Sequence, residues 1–272
     1  MASGISLHIG LNAVDPSHYS GWNEILNAAE YDAHDMYLIA SAYGYHASKL
    51  LGSNATRNNV IHAIQQASAT LRSGDIFLLT YSGHGGQLPD FNSEENDGLD
   101  ETWCLYDGEF LDDELYYLWY HFKDNVRILV ISDSCHSGSV VKARGLVNGD
   151  INIPYKSKSL PSEIAASTYF NNKAFYDNLI SNLEIVKSHQ IAANVKLLSA
   201  CQDNQESKDG AFNGRFTGIL KLVLNGGKFR GNYAMLHKTL LMRFSSFPDQ
   251  SPNLMNIGKQ NFSFDNQMPF TI

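Results

Sequence analysis

Two apolar runs constrain this chain more than anything else in it: Asp75-Ile-Phe-Leu-Leu-Thr-Tyr81 and Val126-Arg-Ile-Leu-Val-Ile-Ser132. Each has strand length and lacks apolar–polar alternation, which suits a strand buried on both faces of a parallel sheet. A third run, Val195-Lys-Leu-Leu-Ser-Ala200, repeats the pattern, and Ile5–Leu11 and His46–Leu51 read as further strands. Helical periodicity fills the gaps. Trp22–Tyr43 carries Ile25, Leu26, Ala29, Ala33, Met36 and Ala40 on one face and stops at Gly44. Thr56 can cap a helix bearing Val60, Ile61, Ile64, Ala67 and Leu71; Arg215–Leu224 ends at Gly226, and Asn232 caps Tyr233–Phe244. The expected fold is α/β, a mostly parallel central sheet with helices on both faces.

Val140–Ala192 is too long for a simple crossover. Through about Pro161 it has no periodicity and is expected to be a mobile loop. A covering helix with Phe175, Tyr176, Leu179, Ile180, Leu183 and Val186 is expected after it.

Charge and composition exclude several functions. The chain has 20 Lys plus Arg against 28 Asp plus Glu, and eleven of the acids lie between Asp90 and Glu114 without a single basic residue. An acidic chain without basic clusters is a poor ligand for a phosphate backbone, so no nucleic-acid partner is expected. No apolar run approaches the ~20 residues of a membrane span. The N-terminus lacks the basic and apolar regions of a signal peptide, and Ala2 excludes myristoylation. Cys104, Cys135 and Cys201 form no C-x-x-C pair, so neither a disulfide scaffold nor a zinc site is predicted. A cytoplasmic protein with reduced thiols follows.

The apolar runs end in two polar turns, Tyr81-Ser-Gly-His-Gly-Gly-Gln87 and Asp133-Ser-Cys-His-Ser-Gly-Ser139. Both lie at the C-terminal ends of buried strands, the sheet edge where α/β proteins place their chemistry. A cysteine nucleophile needs an imidazole to manage protons and backbone N–H donors for an oxyanion. His84 and Cys135 offer the first two, and glycine beside His84 lets backbone approach a substrate carbonyl. A lone unpaired Cys is usually a buried packing residue. That reading suits Cys104 and Cys201, but a turn of Ser, His and Gly is a poor place for one. His136 is the rival base.

Ser82-Gly-His-Gly-Gly and Asp133-Ser-Cys-His-Ser-Gly resemble the paired signatures of metacaspases and orthocaspases, of the caspase-like clan of cysteine peptidases. The 51-residue separation of His84 and Cys135 matches the spacing known for caspases. Leu26-x-x-Ala-x-x-Asp-Ala33, Asp97-Gly-Leu-Asp-Glu101, Leu111-Asp-Asp-Glu114 and Leu198-Ser-Ala-Cys-Gln-Asp203-x-Gln extend the resemblance in order. It implies one caspase-like (caspase-hemoglobinase) peptidase domain over 1–272. Its parts would be a large-subunit-like 1–145, the loop and covering helix over 146–192, and a small-subunit-like 193–272. His84 would be general acid/base and Cys135 nucleophile, with the N–H groups of Gly85 and Cys135 as oxyanion donors.

The resemblance also assigns Asp32, Ser82 and Asp133 to the pocket for the residue before the scissile bond (P1). Two carboxylates there select Arg or Lys and reject Asp. The expected partners are protein or peptide substrates with Arg or Lys at P1, and the expected state is a monomer. Family members bind activating Ca²⁺ through positions matching Asp100, Asp112 and Asp113 and a fourth Asp at position 142, which is Lys here. An ammonium could replace the metal, so no cofactor is required, with weak Ca²⁺ dependence at most. The acidic stretch could instead be a solvated loop. Lys142, Arg144, Lys156 and Lys158 are candidate self-cleavage sites in the expected loop. Two other readings stay open: an inactive caspase-like scaffold, and another protease of the clan, gingipain- or separase-like.

Overall fold

The computed structural model describes residues 2–89, 99–135, 156–183, 185–202 and 205–272. Strands β1 (Gly4–Gly10), β2 (His46–Leu51), β3 (Ile76–Ser82), β7 (Arg127–Asp133), β9 (Asn194–Ser199) and β11 (Asn253–Gly258) form one sheet in the order β11-β9-β7-β3-β1-β2. All neighbours in it are parallel except β11, which runs antiparallel to β9 at one edge. The apolar runs are its centre. In β3, Phe77, Leu79 and Tyr81 point into one core, with Val60 and Ile64 of α2 (Arg57–Thr70) and Leu118 and Trp119 of α3 (Asp112–Tyr120). Ile76 and Leu78 point to the other face. There they meet Met36 and Ala40 of α1 (Ala29–Ala42), Phe216 and Leu220 of α6 (Arg215–Leu224), and Leu236 and Leu240 of α7 (Tyr233–Phe244). Successive residues thus serve opposite cores, which is why the run is continuous rather than alternating.

The caps read from sequence form: Thr56 Oγ1 accepts from Asn59 N at 3.3 Å, and Asn232 Oδ1 from Met235 N at 3.0 Å. The first helix is shorter than predicted. Residues Trp22–Ala28 are not helical, because their backbone groups are engaged elsewhere. The Asp209 carboxylate accepts from Asn27 N (2.7 Å) and Ala28 N (3.1 Å), and the Glu24 carbonyl accepts from His84.

The acidic stretch is not simply a solvated loop. Its described part contains β5 (Leu99–Leu105), β6 (Gly108–Leu111) and the start of α3, with β4 (Gly85–Pro89) completing a three-stranded antiparallel sheet. Asp100, Glu109 and Glu114 are buried. Arg57 bridges Glu114 with two bonds, 2.6 and 2.9 Å, and donates to the Glu109 carbonyl. The covering segment is two helices, α4 (Ser162–Asn171) and α5 (Lys173–Asn182), joined at Asn172. Val186 lies beyond α5 and belongs to the main core instead. Before α4, β8 (Lys156–Ser157) pairs antiparallel with β10 (Lys208–Asp209). Among the described residues no helix is long and apolar enough to cross a membrane.

Candidate active site

Register brings the two turns together. Ser82, last in β3, is the register partner of Asp133, last in β7, so the His84 and Cys135 turns leave adjacent strands at one sheet edge. Gly85 shows how close they are: a Cβ there would lie 2.1 Å from the Cys135 carbonyl oxygen, so only glycine fits.

The His84 turn is fastened from both sides. Its carbonyl accepts from the Tyr81 hydroxyl (2.6 Å) and from Cys104 N (2.9 Å). Tyr81 in turn stacks on Trp103, centroids 4.5 Å apart. The His84 ring is buried edge-on against Trp22, and its Nε2 lies 2.8 Å from the Glu24 carbonyl. A carbonyl only accepts, so Nε2 carries the proton and Nδ1 holds the free lone pair. Nδ1 has no hydrogen-bond partner among the described residues, the Cys135 thiol included. Burial holds the imidazole down to about 4, with the Glu24 bond opposing and the Lys158 and Lys156 charges reinforcing. It is a neutral base at pH 7.

Cys135 is buried, and its thiol donates to the Gln205 carbonyl at 2.9 Å while accepting from Ser207 N at 3.2 Å. Cys104 and Cys201 are free and buried, Cys104 packing with Val14, Tyr19, Leu160 and Ala165. Cys201 also touches this turn, donating to the Ser134 carbonyl at 3.4 Å.

A segment of the chain itself occupies the cleft. The Lys158 carbonyl accepts from Gly85 N at 2.9 Å and from Cys135 N at 3.3 Å, the two donors named from sequence. Lys158 N donates to the Ser207 carbonyl (3.0 Å) and Leu160 N to the Gly85 carbonyl (2.7 Å), so backbone bonds flank Lys158 on both sides. The Lys158 side chain is wholly buried. Its ammonium sits 3.1 Å from Asp32 Oδ2, 3.1 Å from Asp133 Oδ1 and 2.9 Å from Ser82 Oγ, the three pocket residues read from sequence. Burial alone would lower the Lys158 pKa, but Asp133 and Asp32 outweigh it and the group stays cationic. Burial lifts Asp32 to about 6 against the pull of Lys158, with Asp133 adding to the rise.

Sequence reasoning missed the shell around those carboxylates. Asp133 Oδ2 accepts from Thr217 N (3.1 Å) and Oγ1 (2.7 Å), and Asp133 Oδ1 from Ser207 Oγ (2.6 Å). Asp32 Oδ1 accepts from Asn213 Nδ2 (2.9 Å) and Gly214 N (3.0 Å). These residues come from the connection after the third apolar run and from the first turn of α6. The connection's position at the same sheet edge was the available signal.

The other expected site residues fare differently. Lys156 donates to the Ile25 carbonyl at 2.6 Å, away from the acidic pocket. Asp100 lies on β5, and Asp112 and Asp113 open α3. Among the described residues no three His, Cys, Asp or Glu side chains converge as a metal site. Lys142, Arg144 and His136 lie outside the described residues.

Comparison with known proteins supplies independent information. A family model described as "Metacaspase, peptidase C14 domain" matches residues 17–144. Metacaspase-1 of Saccharomyces cerevisiae (strain ATCC 204508 / S288c) is 30% identical over 79% of this chain and 56% of its own. Metacaspase-1 of Kluyveromyces lactis is 28% identical over 92% and 65%. The chain therefore spans little more than half to two thirds of these relatives' length. The crystal structure of protein GSU0716 from Geobacter sulfurreducens superposes with a TM-score of 0.89 at 49% identity, covering 99% of this chain and 98% of that one.

Proposed function

The chain belongs to the metacaspase family of cysteine peptidases and has its caspase-like fold, and we propose that it is an endopeptidase cutting after basic residues through Cys135 and His84. One observation carries the reading. Lys158 lies in the cleft as a substrate would, its carbonyl between the N–H groups of Gly85 and Cys135 and its ammonium between Asp32 and Asp133.

Catalysis starts when the thiol leaves the Gln205 carbonyl and passes its proton to His84 Nδ1, the ring nitrogen left basic by the Glu24 bond. The thiolate attacks the carbonyl carbon, and the charge on oxygen is held by Gly85 N–H and Cys135 N–H. His84 then protonates the leaving amine. Water, deprotonated by the same imidazole, releases the acyl group from Cys135.

The substrates are proteins or peptides with Lys or Arg at P1. Asp at P1 is refused, since it would bury a third carboxylate beside Asp32 and Asp133. The same geometry supports Lys158–Ser159 as the chain's own scissile bond and, while intact, as a plug in the cleft. Of the four basic residues named from sequence, Lys158 is thus the favoured self-cleavage site. Calcium dependence is absent or weak, Lys142 standing where the family resemblance implies a metal-binding Asp. Hydrolysis of matched fluorogenic peptides with Arg, Lys or Asp at P1, with Cys135→Ala as control, tests the reading. Activity on the basic peptides alone, lost in the variant, is expected; equal turnover of Asp and Arg would overturn it.

A further inference from the structure

Given the reading above, on which this rests, the geometry points to a pocket built for lysine rather than arginine. An ammonium has three donors arranged around a point, whereas a guanidinium is a planar fork that pairs best with both oxygens of one carboxylate. The pocket supplies three acceptors around a point: Asp32 Oδ2 at 3.1 Å, Asp133 Oδ1 at 3.1 Å and Ser82 Oγ at 2.9 Å. All three Lys158 donors are used.

Neither carboxylate can receive a fork. Asp133 Oδ2 already accepts from Thr217 N and Oγ1, and Asp32 Oδ1 from Asn213 Nδ2 and from Gly214 N, which it shares with Oδ2 (3.0 and 3.1 Å). Each acid therefore turns a single oxygen toward the bound side chain. A bidentate arginine would have to displace bonds from Thr217, or from Asn213 and Gly214, leaving buried donors unsatisfied.

Depth argues the same way. A Cβ on Gly214 would fall 2.5 Å from Lys158 Nζ, 2.7 Å from Asp133 Oδ2 and 2.9 Å from Asp32 Oδ2, so the Gly214 backbone closes the pocket at the ammonium. Arginine is one bond longer than lysine and ends in two nitrogens side by side. Thr217 and Asn213 are positioning residues: they touch the carboxylates rather than the substrate and fix which oxygens are presented.

The test uses the full chain and a matched pair of peptides, acetyl-Lys-Ser-Lys and acetyl-Lys-Ser-Arg aminomethylcoumarin amides. The expected kcat/KM favours Lys by about tenfold or more, the effect of losing one well-made charged hydrogen bond. Arg equal to or better than Lys overturns the proposal while leaving basic specificity intact. Turnover of neither, with cleavage of a P1-Asp or P1-Ala analogue instead, overturns both. Thr217→Val removes the hydroxyl bond to Asp133 Oδ2, leaving only the Thr217 N bond there, and it is expected to shrink the Lys/Arg ratio by improving KM for Arg. A fall of both substrates in parallel would mean a structural role only and would count against the proposal. Lys158→Arg in the full chain provides a measurement free of added substrate. Self-cleavage at residue 158 should slow about tenfold, and an unchanged rate would contradict the assignment.

Discussion

Replacing Lys158 by methionine asks how firmly the cleft holds its own chain. Methionine keeps the unbranched apolar stem but removes the cation from a pocket where Asp32 and Asp133 are both buried. Removing one partner of a buried ion pair costs about 3–5 kcal/mol. Asp32 recovers part of this by protonating: burial already lifts it to about 6 with Lys158 present, and without the cation it rises further. The lower end, about 3 kcal/mol, is therefore expected, a factor on the order of 10² in occupancy of the cleft. In a Cys135→Ala background, where no self-cleavage intervenes, hydrogen exchange reads this directly. The amide of residue 158 donates to the Ser207 carbonyl at 3.0 Å and should exchange about 10²-fold faster in the methionine variant. The amide of Leu160, whose side chain is buried with Val14, Tyr19 and Cys104, should change far less. The loss should also shrink below pH 6, where Asp32 is neutral in both proteins. Unchanged protection of residue 158 at pH 7 would refute the claim that the ion pair seats the segment.

Four further outcomes follow. Gly85→Ala forces a Cβ to 2.1 Å from the Cys135 carbonyl oxygen, so peptide hydrolysis should drop about 10²-fold or more while circular dichroism is unchanged; full activity would show that Gly85 N–H is not an oxyanion donor. Arg57→Ala leaves Glu114 buried and unpaired and should lose about 3–5 kcal/mol in urea unfolding, against less than 1 if the pair is incidental. His8, buried on β1 between Ser6 and Thr80, is held down to about 3 by burial and then by Lys49, so the unfolded chain takes up its proton first as pH falls below 6.5. Between pH 7 and pH 4 the parent should therefore lose about 3 kcal/mol relative to His8→Gln; the difference removes Asp32 and Glu109, whose raised values act in the opposite sense, and parallel curves would contradict it. A chelator should leave hydrolysis of a basic peptide unchanged, and a steep millimolar Ca²⁺ requirement would contradict the proposed calcium independence.

What was legible in the sequence is what local pattern encodes. Continuous apolar runs in β3, β7 and β9 betrayed strands covered on both faces, and the turns after them carried His84 and Cys135 to one edge. The helix caps at Thr56 and Asn232 were equally local. Asp32, Ser82 and Asp133 were reached by resemblance, and the register of Ser82 with Asp133 explains their meeting. The misses are long-range. Nothing between Trp22 and Ala28 announces that Asp209, over 180 residues away, will take its amides from a helix. The acidic stretch read as a charge run because burial of Glu114 depends on Arg57, far upstream in another element. Ser207, Asn213 and Thr217 carry no motif, and their part is visible only once the carboxylates they cap have been placed. Lys158 was one of four equivalent basic residues until its backbone was seen between Gly85 and Cys135.

In the proposed reaction Cys135 cuts after a basic residue held between Asp32 and Asp133, and Lys158 is seated as such a residue. Intact-mass and N-terminal analysis of the purified chain on standing, beside Cys135→Ala, decides this. A new N-terminus at Ser159 is expected in the parent and a single uncut species in the variant. Fragments identical in both proteins, or a Cys135-dependent cut that does not follow Lys or Arg, would contradict it.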